Sequence, residues 1–138
     1  MTIKHLLVAL AVALPMTASA ESFNTPQPQQ DKLQVAKVKS FDFGRIYVHT
    51  DERQELQRVA NLWRQRPQWW TITVVGHGFV ADDEEASIEL GEKRAQRVRQ
   101  LLVKYGVDPR FVVAVGNSRE EPGRYVDVSV DTCERCRR

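Results

Sequence analysis

The chain has 138 residues, and its 20 Lys and Arg against 18 Asp and Glu leave a formal net charge of +2. So small a surplus excludes a general nucleic-acid binder, which needs cations to match phosphates along its footprint. The basic side chains instead gather in two local patches, Arg94 to Arg99 and the tail residues Arg135, Arg137 and Arg138.

Lys4 and His5 precede an apolar run from Leu6 to Leu14, and Ala18-Ser19-Ala20 follows with the small side chains a signal peptidase accepts. This pattern predicts a secretion signal over residues 1–20. The run is too short to span the ~30 Å of bilayer hydrocarbon, so no transmembrane segment is expected in the mature chain. Residue 21 is Glu and not Cys, so no lipid anchor is expected on the new N-terminus. Removing the signal leaves about 118 residues, the size of one domain with one modest core.

Residues 21–32 read as a flexible linker, because Thr25-Pro26-Gln27-Pro28-Gln29-Gln30 has little to bury and two prolines that disfavour helix. The domain is placed at 33–131. Val35, Val38, Phe41 and Phe43 mark a first strand, with Phe41-Asp42-Phe43 alternating as a half-buried strand does. Thr50 or Asp51 caps a first helix whose Leu56, Val59, Ala60 and Trp63 recur at helical spacing, and Pro67 ends it. Trp69 to Gly76 reads as a central strand.

A second helix, starting near Gly91, carries Ala95, Val98, Leu101, Leu102 and Tyr105 on one face and stops at Gly106. The acids Asp82 to Glu85 fall in the loop before it. Phe111 to Gly116 and Tyr125 to Val130 are the third and fourth strands, and the short connection from Asn117 to Arg124 suits a hairpin that adds an antiparallel edge. The order strand, helix, strand, helix, strand, strand predicts an α/β (α+β sandwich) fold, a mixed four-stranded sheet with two helices on one face.

Residues 132–138 form a Cys- and Arg-rich tail. In an oxidising compartment Cys133 and Cys136 are candidates for a disulfide with each other or with a partner, and free thiols stay open as well. A thiol-disulfide enzyme is a third-rank alternative, since hardly any chain follows to supply the helix such a site uses. Two ligands do not complete a structural zinc site, and His77 and His49 lack partners at ligand spacing, so no metal is expected. No nucleophile arrangement is present, and Gly76-His77-Gly78 lacks the third glycine and downstream acid of a dinucleotide site. Neither an enzyme nor a cofactor is expected.

Taken in order, Phe41-Asp42-Phe43, Val74-Val75-Gly76-His77, Leu90-Gly91-Glu92-Lys93-Arg94-Ala95, Gly106-Val107, Gly116 and Arg124-Tyr125-Val126 resemble the OmpA-like C-terminal (peptidoglycan-associated) domain. The resemblance runs from about Val35 to Val130. It implies a periplasmic domain, associated with the outer membrane or cell wall, that holds peptidoglycan non-covalently by the diaminopimelate of its stem peptide. In that family a loop aspartate takes the ligand's ammonium, and an arginine early in the second helix takes its carboxylate.

Counting along this chain, the arginine position falls on Arg94 and the aspartate position on Phe79. Gly78-Phe79 stands in place of Thr-Asp, Gly91 in place of a capping Ser, Ser87 where Asn is frequent, and Gly123-Arg124-Tyr125 keeps one arginine of a pair. The implied site is therefore Arg94 as carboxylate fork, Arg124 as second cation, and His77 and Gly78 shaping the pocket. Asp82 or Asp83 is a replacement ammonium partner or a solvated loop charge, and His77 is alternatively a strand-end hydrogen bonder. Phe79 suggests a protein-docking point, which keeps open an adaptor or assembly component of an envelope protein complex without wall binding.

Overall fold

A computed structural model describes residues 31–117 and 123–134. The expected signal, the linker up to residue 30 and Cys136 lie outside the described residues. The elements are β1 (Lys32–Val38), α1 (Thr50–Gln65), β2 (Trp69–His77), α2 (Glu84–Lys104), a 3-10 turn (Pro109–Phe111), β3 (Val112–Asn117) and β4 (Val126–Thr132). The sheet order is β1-β4-β2-β3, with β4 antiparallel to both neighbours and β3 parallel to β2. This is the expected mixed four-stranded sheet with two helices, in the order β-α-β-α-β-β.

Alternation on the strands decides what each face meets. Ile72 and Val74 on β2 and Val126, Val128 and Val130 on β4 are fully buried beneath the helices. Leu56, Val59, Ala60 and Trp63 of α1 and Ala95, Val98, Leu101 and Leu102 of α2 close the same core. Each such aliphatic side chain contributes roughly 1.5–3 kcal/mol relative to leaving it in water.

Four expectations are corrected. β4 is not an antiparallel edge hairpinned to β3, but is inserted between β1 and β2. There it pairs antiparallel with β1 on one side and β2 on the other, so its backbone N–H and C=O groups are satisfied along both edges while Val126, Val128 and Val130 face the helices. The first strand ends at Val38, before Phe41-Asp42-Phe43. Phe41 is buried, but Asp42 to Arg45 form a turn closed by an Arg45 N–H to Asp42 carbonyl bond of 2.9 Å. Gly44 supplies the positive φ of 65° at its third place, as a type II turn requires.

α1 is preceded by His49 in extended conformation, and neither Thr50 nor Asp51 caps it; both lie inside the helix. α2 begins at Glu84, well before Gly91. Asp83 is its cap, accepting from the Ala86 N–H at 2.8 Å, and Glu84 and Glu85 occupy the first turn where the dipole favours acids. The acidic run is therefore mostly the start of a helix and not a loop.

Gly91 consequently sits mid-helix, where its missing side chain lets α2 lie almost on the backbone of β2. A Cβ there would come within 2.4 Å of the Gly76 carbonyl oxygen, and one at Gly76 within 1.8 Å of the Gly91 oxygen. This contact fixes the height of α2 over the strand tips, and with it the position of Arg94, one turn further on.

Candidate functional site

Arg94 lies at the midpoint of α2 and is fully buried, at 0% exposure. Its guanidinium reaches back over the end of β2 and into the β1–α1 loop. Nε donates to the Arg45 carbonyl at 2.9 Å, Nη1 to the His77 carbonyl at 2.9 Å, and Nη2 to the Asp42 carbonyl at 3.2 Å. The plane packs over the Phe41 ring, with 5.0 Å from Cζ to the centroid. One cation thus holds both ends of the turn at residues 42–45 and the last residue of β2.

These acceptors are all uncharged. Among the described residues no carboxylate lies within ion-pair distance of Arg94. Burial, and secondarily the charge of Arg124, push its pKa below the usual arginine value. An arginine still stays protonated under such a shift, so a net positive charge persists beneath the surface.

Above it opens a cavity of about 310 Å³ lined by Phe43, Gly44, Phe79, Arg94, Gly123 and Arg124. The turn held by Arg94 supplies Phe43 and Gly44, the segment after β2 supplies Phe79, and the approach to β4 supplies Gly123 and Arg124. Phe43 is 76% exposed and Phe79 45%, so two phenyl rings stand at the mouth. Arg124 is exposed, whereas Arg94 forms the covered floor.

Of the residues singled out in the sequence, Arg94, Arg124 and Phe79 come together at this cavity. Arg94 does not project from the opening turn of α2, because that helix starts ten residues earlier than the arginine. Gly78 is buried against α2, where a Cβ would meet the Ser87 carbonyl oxygen at 2.5 Å, so it serves helix packing and does not line the cavity. Asp82 and Asp83 do not line it either. Asp82 adopts a left-handed φ of 57°, and Asp83 spends its carboxylate on the helix cap. Ser87 accepts from the Val80 N–H at 2.8 Å and donates to the Asp83 carbonyl, which fixes the loop that carries Phe79.

His77 contributes to the two faces of the sheet differently. Its carbonyl takes Arg94, but its imidazole is buried on the face away from the helices, stacked on Tyr125 at 4.2 Å between centroids. Nε2 lies 3.3 Å from an Asp127 carboxylate oxygen, and Lys37 lies 3.5 Å from the other. The His77 N–H bonds the Tyr125 carbonyl at 2.9 Å, so the alternative expectation of a strand-end hydrogen bonder describes its backbone. Cys133 is disulfide-bonded, and Cys136 lies outside the described residues.

Sequence reasoning missed Phe43 and Gly44 as cavity walls. Asp42-Phe43-Gly44 carries the signal, since Asp at the first place and Gly at the third favour a turn, but the alternating phenylalanines point to a strand. Among the described residues no helix is long and apolar enough to cross a membrane, and no group of metal-binding side chains occurs.

The family model described as "OmpA family" matches residues 40–131. The chain is 30% identical over 110 residues to the peptidoglycan-associated lipoprotein of Brucella melitensis, covering 79% of this chain and 64% of that protein. It is 32% identical over 92 residues to outer membrane porin F of Pseudomonas fluorescens, covering 64% of this chain and 28% of the porin. It thus spans less than two thirds of the length of these curated relatives. Among solved structures, the peptidoglycan-associated lipoprotein from Burkholderia pseudomallei superposes with a TM-score of 0.59 at 24% identity, covering 80% of this chain and 97% of that one.

Proposed function

This chain belongs to the OmpA family, whose domains are non-enzymatic binding modules, and from that premise we propose that it attaches non-covalently to peptidoglycan in the periplasm through the cavity above Arg94. The relatives are envelope proteins with periplasmic domains of this kind, and one is named for its association with peptidoglycan. The expected secretion signal delivers the chain to the same compartment.

The observation that carries this reading is a buried guanidinium that has, among the described residues, no carboxylate partner, at the floor of a cavity whose rim holds a second, exposed guanidinium. A buried charge left uncompensated is costly, and a carboxylate entering the cavity relieves that cost. Arg124 can meet such a carboxylate in the bidentate geometry that guanidinium favours. Arg94 acts from behind, as a fixed positive charge and as the clamp that shapes the wall.

Cosedimentation with purified sacculi tests the proposal. The wild type is expected in the pellet, and Arg124→Glu, a change at an exposed side chain, in the supernatant with its fold intact. A wild type that stays in the supernatant rules out wall attachment. The adaptor reading has one observation in its favour, the two phenyl rings exposed at the cavity mouth. It requires that Phe79→Asp abolish a complex with an envelope protein.

A further inference from the structure

We propose that the face of the sheet opposite the helices carries a second binding site, a groove that takes a chain of N-acetylated amino sugars. The inference rests on the peptidoglycan reading above and adds the glycan strand to what the domain holds.

The face of such a sheet away from its helices ordinarily meets water and carries exposed polar side chains. Here that pattern is inverted. His77 and Ser129 are polar and only 5% and 7% exposed, whereas Val113 and Val115 on the same face are 47% and 41% exposed. This face holds a groove of about 380 Å³, lined by Gln34 of β1, Asp127 and Ser129 of β4, Val75 and His77 of β2 and Asn117 of β3. It has the size of a small-ligand site and crosses three interstrand gaps, about 14 Å. Strand register assembles it, with Gln34 opposite Ser129, Val75 opposite Asp127 and His77 opposite Asn117.

The polar walls are held in place. Asp127 Oδ1 accepts from Gln34 Nε2 at 3.1 Å and lies 3.5 Å from Lys37 Nζ, while Oδ2 lies 3.3 Å from His77 Nε2. Gln34 spends one N–H on this bond, and its amide carries a second N–H and a carbonyl oxygen for a ligand. Donors and acceptors are interleaved at strand spacing, an amide on β1, a carboxylate and a hydroxyl on β4, and a second amide on β3. A ligand that meets them must donate and accept from neighbouring atoms, as sugar hydroxyls and acetamido groups do. Val75, continued across the register by exposed Val115, gives the apolar side of a pyranose ring and the acetamido methyl a surface to cover.

The groove also reaches the cavity end of the sheet. His77 ends β2 with its carbonyl bonded to Arg94 on the cavity side, and its side chain lines the groove. A wall polymer that sets a stem peptide in the cavity therefore has its sugar backbone beside the strand tips, where the groove begins.

Chitotetraose, a peptide-free chain of N-acetylglucosamine, is titrated into the uniformly ¹⁵N-labelled protein, with cellotetraose, which shares the linkage and lacks the acetamido group, as the comparison. The amides of Val75, Asn117 and Asp127 report on the groove, and those of Gly44 and Arg124 on the cavity. Chitotetraose is expected to shift the groove amides and to bind at least about fivefold more tightly than cellotetraose. Gln34→Ala, at an exposed position and with its fold verified by its own spectrum, is expected to weaken chitotetraose about fivefold and still to pellet with sacculi.

Equal affinity for the two sugars overturns the amino-sugar assignment, and unchanged affinity in Gln34→Ala overturns the groove as the site. Shifts confined to Gly44 and Arg124 move the sugar to the cavity and overturn the inference. No shift with chitotetraose overturns it as well, and wall attachment through the cavity then still stands if the wild type pellets with sacculi.

Discussion

Arg94 and His77 are joined by a 2.9 Å hydrogen bond from guanidinium Nη1 to a backbone carbonyl, so a cation at the middle of α2 closes the tip of β2. The same side chain holds Asp42 and Arg45 in the β1–α1 loop. A loop 52 residues away in sequence is thus pinned to the helix by one residue. The cavity wall follows from that pinning.

Replacing Arg94 by Lys keeps the charge but cannot reach three carbonyls from one ammonium. The variant is expected to lose about 2–4 kcal/mol of stability, the cost of stranding buried acceptors and a displaced charge. Urea unfolding measures this. An unchanged midpoint would mean that the three hydrogen bonds are dispensable.

Gly91→Ala is expected to destabilise by about 1–3 kcal/mol through overpacking, outweighing a helix-propensity gain of about 1 kcal/mol. The new Cβ would press on the Gly76 carbonyl, part of the strand backbone that cannot rotate away. Glu89→Ala, at an exposed position on the same helix, is the control and should stay within about 0.5 kcal/mol of wild type. Equal midpoints for the two variants would refute the close approach of α2 to β2.

Asp83→Ala removes the side-chain cap of α2 and is expected to cost about 1 kcal/mol, with Asp83→Ser recovering most of it. Thermal unfolding of the three proteins, followed at a helical wavelength, provides the comparison. If alanine and serine behave alike, the cap does not operate.

Asp108 accepts from the Arg110 side chain and the Arg110 N–H, and these bonds hold its pKa down to about 2. A carboxylate whose folded pKa lies below its unfolded value adds stability above the unfolded pKa, and that stability fades as pH falls toward about 2. A ¹³C-carboxyl titration should place the transition there, and Arg110→Ala should raise it toward the ordinary aspartate value. A transition already at that ordinary value in wild type would remove the pair.

The periodicities that reach the core were readable in the sequence. The faces of both helices and the run of β2 were legible because burial imposes a period on many residues at once. The position of β4 was not, since sequence order says nothing about which gap in a sheet a strand fills, and only its pairing with both β1 and β2 reveals it. The start of α2 was misread for a local reason: acids look alike in a loop and in a first helical turn. Arg94 is singled out only by what the family resemblance implies, and its three carbonyl partners lie in segments far apart in the chain, beyond the reach of any local pattern.

His77 has its carbonyl on the cavity side and its imidazole, against Tyr125 and Asp127, on the uncovered side of the sheet. The two sides therefore meet at the backbone of one residue. Under the proposed function, a ligand that draws on Arg94 would alter the pull on the His77 carbonyl, and the stacked rings of His77 and Tyr125 are the nearest reporters on the opposite side of the sheet. Aromatic resonances on the back of the molecule would then serve as a remote gauge of occupancy at the front, legible even where the bound material itself is too large or too insoluble to observe.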